Sequence, residues 1–138
     1  MSFDVHHSKD FEGTAFVEIG PGKYTGKHWQ PGFLFIDEDY FFVAESLITA
    51  CVNRYDHYAM NDYSRDDALA IVDCWRSAAR TLVESEESAI DVLRLERSYN
   101  DKVALENERA QITHMLESLA ASCDKFIEDH SGFCILGL

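Results

Sequence analysis

Apolar residues recur through the middle of the chain with the period of a helix. Tyr40, Phe41, Ala44, Leu47, Ile48, Cys51 and Tyr55 fall at steps of three and four, which puts them on one face of an α-helix and predicts a helix from about Glu38 to Asn53. A polar break runs from Arg54 to Tyr63. Ser64 can then cap a second helix, with Asp67 in the place where a capping box usually carries Glu or Gln. Ala68, Ile71, Val72, Trp75, Ala78, Ala79, Leu82 and Val83 continue its apolar face. Two amphipathic helices joined by about ten residues fold back on each other as an antiparallel pair. A third stripe of Val103, Ala110, Ile112, Met115, Leu116, Leu119, Cys123, Phe126 and Ile127 predicts a long helix from about Asn100 to Asp129, with Gly132 in its C-cap region. Ser85 to Ser98 fits neither period well, and a short third helix or an extension of the second are both open.

Ahead of residue 37 the pattern changes. Residues 1–12 are polar and expected to be loosely held. Thr14 to Ile19 and Tyr24 to Trp29 are short runs with strand character, separated by the turn signal Gly20-Pro21-Gly22-Lys23. Phe33-Leu34-Phe35-Ile36 reads as a short strand leading into the first helix. Five of the seven glycines and both prolines lie between Gly13 and Gly32, and from Phe33 to Ser131 there is neither. A stretch without breakers is easier to build from helices joined by polar connections than from strands and tight turns. The expected class is therefore mainly α: an antiparallel helix pair and a long C-terminal helix, with short N- and C-terminal β-strands. One domain covers residues 1–138, divided into a strand- and turn-rich lead (13–36), a helical body (37–131) and an apolar tail (132–138). The tail is too apolar to be left in water, so it packs in the core or adds a strand beside the N-terminal ones.

Charge changes the picture more than length does. A chain of 138 residues, 46% hydrophobic with nine Phe, six Tyr and two Trp, can bury a core without metal or disulfide support. Its formal charge is −13, with four acids against three lysines in residues 1–36 and 21 acids against nine bases from residue 37 onward. Such a field repels nucleic acid and anionic lipid and speeds encounter with a basic protein. Solubility alone also accounts for it. No apolar run is long enough to span a bilayer, and the start MSFDVHHSKD lacks a basic segment followed by an apolar core, so a cytoplasmic protein is expected. Four cysteines without CxxC spacing, three within or beside apolar stripes, read as reduced, buried thiols.

Catalytic and metal motifs are missing. His6, His7, His28, His57, His114 and His130 contain no HxxxH or HExxH pair, and there is no GxSxG, P-loop or GxGxxG. No catalytic residue, metal ligand or cofactor is predicted, and nothing selects one pair of acids as an acid/base couple. The acids themselves cluster. Asp37, Glu38 and Asp39 complement the positive end of the first helix, whereas Glu84, Glu86 and Glu87 stand at the negative end of the second, where carboxylates are locally unfavourable. In an antiparallel pair these six would form one patch. Asp56, Asp62, Asp66 and Asp67 make a second group around the connecting loop, answered by Arg54 and Arg65. Asp73, Arg76, Arg80 and Glu84, at helical pairing distances, neutralise one another. Tyr58 and Tyr63, with Tyr55, His57 and Met60, decorate that loop and either close the end of the core or supply rigid contact area to a partner. The candidate partner-binding residues are Asp37, Glu38, Asp39, Asp56, Tyr58, Asp62, Tyr63, Asp66, Glu84, Glu86 and Glu87.

The segment from Phe33 to Trp75, FLFIDEDYFFVAESLITACVNRYDHYAMNDYSRDDALAIVDCW, combines an apolar strand-like lead, an acidic helix start, a YDHY loop and a second helix carrying a Trp. In these features it resembles the small acidic immunity proteins encoded beside bacterial polymorphic and contact-dependent inhibition toxins. The resemblance implies a cytoplasmic inhibitor that binds and neutralises a cognate, nuclease-like toxin domain, and it carries over no individual binding residue. Together with the charge it gives the leading expectation, an inhibitor that places acids against a basic cleft. A helical adaptor or regulatory protein binding an endogenous partner is the second reading, and a small hydrolase with an acidic cleft the third.

Overall fold

Val17 and Ile19, Leu34 and Ile36, and Phe133 and Ile135 alternate with residues of the opposite face, the period-two pattern of strands, and all six are buried in the main core. The computed structural model describes residues 3–7, 16–95 and 106–137. In it the strands are β1 (Val5–His6), β2 (Phe16–Pro21), β3 (Leu34–Asp37), β4 (Met60–Ser64) and β5 (Gly132–Leu136). They form one five-stranded sheet of order β1-β3-β2-β5-β4, and every pairing is antiparallel. The helices are α1 (Glu38–Cys51), α2 (Arg65–Glu84), a single turn α3 (Ala89–Val92) and α4 (Arg109–His130).

The helices cover one face of the sheet. α2 packs most extensively on α4, joining Ile71, Trp75, Ala78 and Leu82 to Ile112, Met115, Leu119 and Cys123 in one buried cluster. Where α1 meets α2, the fully buried Trp75 indole N–H donates to the Ala44 carbonyl at 3.1 Å, so the ring's polar atom is satisfied inside the core. On the other face a smaller cluster of Phe33, Phe35, Cys134 and Leu136 is closed by Tyr24. Burial pushes the Cys134 thiol up to about 11, which leaves it protonated and inert near neutrality.

Four expectations are corrected. The fold is α+β, not mainly α: the sheet runs through the middle of the molecule, and β5, the C-terminal tail, lies inside it between β2 and β4. The principal helix pair is α2 with α4 rather than α1 with α2. The polar break from Arg54 to Tyr63 contains most of β4, while Tyr24 to Trp29, expected as a strand, is loop. Finally, Cys51 and Cys74 form a disulfide between the end of α1 and the middle of α2, with Cα atoms 6.7 Å apart. Only Cys123 and Cys134 are free. Cys51 lies on the apolar stripe of α1 and Cys74 beside that of α2, and the two helices meet at those positions.

Smaller differences are local. Ser64 precedes α2 but its side chain makes no capping bond. α4 ends at Ser131, whose left-handed backbone (φ 65°) stops the helix and whose N–H returns to the Ile127 carbonyl at 2.9 Å. Of the N-terminal residues expected to be loose, Phe3 is buried and Val5–His6 pairs with β3. Residues 8–15, and Asn100 and Val103 of the predicted long helix, lie outside the described residues. No described helix is long and apolar enough to cross a membrane.

Candidate protein-binding surface

The loop between α1 and β4 is short of glycine yet sharply turned, and side chains make the turn. The Asp56 carboxylate accepts the Tyr58 N–H at 2.9 Å, an Asx turn in place of a glycine turn. Buried Asn61 braces it from β4: its Oδ1 accepts the Asp56 N–H at 2.9 Å and its Nδ2 donates to the Asp56 carbonyl at 2.8 Å. Just past β5, the Gly137 N–H donates to the Ala59 carbonyl at 3.0 Å. From α1, His57 is held on both sides, with Nδ1 at 2.8 Å from Glu45 and Nε2 at 2.9 Å from Glu38.

A neutral imidazole has one N–H and could satisfy only one of those carboxylates, whereas the imidazolium satisfies both. Burial works to lower the His57 pKa, but the hydrogen bonds and charges of Glu38 and Glu45 outweigh it, and the pKa is raised above its ordinary value. Burial, with the neighbouring Glu45 charge, also raises the Tyr55 phenol. Pinned from three sides, the loop holds out Tyr58, 76% exposed, beside Met60 at the start of β4, 58% exposed. The Tyr58 ring stands edge-on to His57, centroids 4.7 Å apart.

A second pinned loop lies across the outer face of the sheet. Register aligns His6, Phe35, Glu18, Leu136 and Met60 in one cross-strand row on that face. Glu18 is 5% exposed, and a carboxylate so buried needs donors. It accepts the Trp29 N–H at 2.7 Å and faces His28 Nδ1 at 2.5 Å, while His28 Nε2 meets the Tyr24 hydroxyl at 3.1 Å. Trp29 is thereby fixed in a left-handed conformation (φ 58°) that non-glycine residues seldom adopt. Its ring stacks on Phe35 with centroids 5.1 Å apart and stays 45% exposed. The Tyr24 N–H donates to Asp62 at 2.8 Å, tying this loop to β4.

The sequence-derived candidates divide accordingly. Asp37 is buried and caps α1 by accepting the Asp39 N–H at 2.9 Å. Tyr63 is also buried; its hydroxyl donates to the Arg54 carbonyl at 2.7 Å and its ring packs on Phe133. Glu38, Asp56 and Asp62 are spent on His57, Tyr58 and Tyr24, and Asp39, Tyr58 and Asp66 are exposed. Through His57 the structure joins the start of α1 to the Asp56–Tyr58 loop. Glu84, Glu86 and Glu87 are exposed at the other end of α2, where Arg109 covers the helix terminus, its guanidinium donating to the Leu82 carbonyl at 2.7 Å and the Ser85 carbonyl at 3.0 Å. The contacts of Glu38 thus lead away from that group rather than toward it.

Sequence reasoning passed over Glu45, Trp29 and the Glu18–His28 pair. Glu38 and Glu45 stand seven residues apart on one helix face with a histidine in the next loop, a spacing that could have been noticed. Nothing in the sequence marks Glu18 as buried. Among the described residues no group of three or more His, Cys, Asp or Glu side chains is placed to hold a metal ion. No known family, characterised protein or solved structure matches the chain.

Proposed function

We propose that this domain is an inhibitor of the immunity type, which binds a basic, nuclease-like toxin domain through the surface around Tyr58 and Met60. The observation that supports this reading best is the α1–β4 loop: two large exposed side chains on a backbone braced by α1, β4 and β5, with exposed Asp39, Asp56 and Asp66 on its flanking segments. A rigid aromatic costs little ordering on binding, and the adaptable methionine beside it adds apolar contact area at the centre of an interface. The acids around them, within a chain of net charge −13, draw in a cationic partner and align it before contact. The proposed place of action is the cytoplasm.

The test is a pull-down with the tagged domain as bait, eluted by a salt gradient, repeated with Tyr58→Ala and Met60→Ala. The expected result is one basic partner, released stoichiometrically as salt rises, whose retention drops about tenfold or more in the Tyr58 variant. A partner retained equally by both variants would place the interface elsewhere, and an empty bait at low salt would remove the inhibitor reading.

A further inference from the structure

On the same side of β4 the chain gathers the opposite charge. A cleft of about 630 Å³, within the size range of small-molecule sites, opens where four distant segments converge: the turn after β2, the loop before β4, the β4–α2 junction and the α4–β5 junction. Its walls carry Lys23, Arg54, Arg65 and His130, with the hydroxyl residues Ser64 and Ser131 between them. In a molecule this acidic, three permanent cations around one cleft are not an average sample of the surface. Neither Lys23 nor Arg65 has an ion pair among the described residues, so their charge is available to a ligand.

Arg54 is only partly engaged. One guanidinium nitrogen donates to the Asp62 carbonyl at 2.6 Å and stands 3.9 Å from Asp67, a half-exposed pair of little strength. The remaining N–H groups of its five are available. Asp62 is the one carboxylate lining the cleft, and its Oδ1 already accepts the Tyr24 N–H. With Asp67 standing 3.9 Å from Arg54 behind the lining, three permanent cations face two carboxylates before His130 is counted.

We infer that this cleft binds a phosphate group, free or as the monoester of a small molecule. A dianion suits three converging cations better than a carboxylate does, since Arg54 and Arg65 offer planar donor pairs that match phosphate oxygens and Lys23 adds a point charge. Ser64 and Ser131 supply neutral donors at the rim. The inference is independent of the inhibitor reading, because it rests on a different set of residues and needs no partner protein.

The experiment is a titration of the full chain with inorganic phosphate at about neutral pH, followed in ¹H–¹⁵N spectra, against sodium chloride of matched ionic strength. Saturable shifts at the amides of Lys23, Arg65 and Gly132 are expected with phosphate alone. Lys23→Gln and Arg65→Gln should each weaken binding by about tenfold, and Arg80→Gln, on the exposed side of α2, should leave it unchanged. Ribose 5-phosphate binding more tightly than phosphate would assign the ester as the source, and equal affinity would assign free phosphate; both support the site. Shifts that rise linearly and match those in chloride would overturn it. So would equal weakening by all three variants, each checked for an unchanged fold by circular dichroism, since that reports diffuse charge rather than a site.

Discussion

His57 in the α1–β4 loop and Gly137, packed against that loop from beyond β5, set the loop's shape and its response to pH. Gly137 could be mistaken for a flexible tail residue, but a Cβ there would overlap the backbone carbonyl of His57, and neither backbone can give way without breaking the Gly137–Ala59 hydrogen bond. Gly137→Ala should cost about 1–3 kcal/mol, read as a lower urea midpoint with unchanged slope. His57 acts through charge. Its pKa is raised in the folded state above the ordinary value of 6.5, so the stability it contributes is complete below that value and is lost as pH rises through the folded pKa. Glu38 and Glu45 must stay ionised, which confines the effect to pH above the carboxylate range. The denaturation midpoint of the protein should therefore fall as pH rises above 6.5, and His57→Gln should flatten that decline. A slope unchanged by the substitution would show that other groups carry it.

Between elements, the main question is why a five-stranded sheet was read as a few short terminal strands. The absence of Gly and Pro from Phe33 to Ser131 disfavours turns that need a positive φ or a fixed proline, but this fold needs few of them. β3 ends at Asp37 and α1 begins at Glu38; β4 ends at Ser64 and α2 begins at Arg65. Strands that run straight into helices need only a capping residue, and Asp37 serves that purpose. β4 was hidden for a further reason: MNDYS has Asn61 and Tyr63 inward, with their polar atoms satisfied by loop carbonyls, so its buried face does not read as apolar. The three long helices were legible because their stripes are long and periodic, and the tail strand because it is apolar at every position. The candidate surface was legible in part. Tyr58 and Asp56 could be picked out from loop composition, while Trp29 depends on Glu18 being buried by strand register, which no local pattern encodes. The Cys51–Cys74 bridge belongs at this scale too, since it ties α1 to α2 across 23 residues of chain. Reduction, or the double substitution Cys51→Ser with Cys74→Ser, should lower stability by about 3 kcal/mol through the freed unfolded chain. Equal urea midpoints with and without reductant would show that packing alone sets the α1–α2 geometry.

For the whole molecule the net charge of −13 makes two predictions of opposite sign. Like charges on a folded surface repel, and the compact state bears more of that repulsion than the unfolded chain does. Raising salt from about 0.02 M to about 0.5 M shortens the Debye length several-fold and should raise the melting temperature of the free domain by a few degrees, about 1 kcal/mol. The same screening removes long-range attraction to a basic partner, so association should slow by about tenfold or more over that range, with dissociation much less affected. The first effect follows from composition and is expected whatever the domain does. The second requires that a cationic surface be the thing recognised. Measuring both on one preparation separates the roles of the acid: stabilisation by salt without slower association would leave the charge as a means of staying dissolved, whereas the two together tie it to binding.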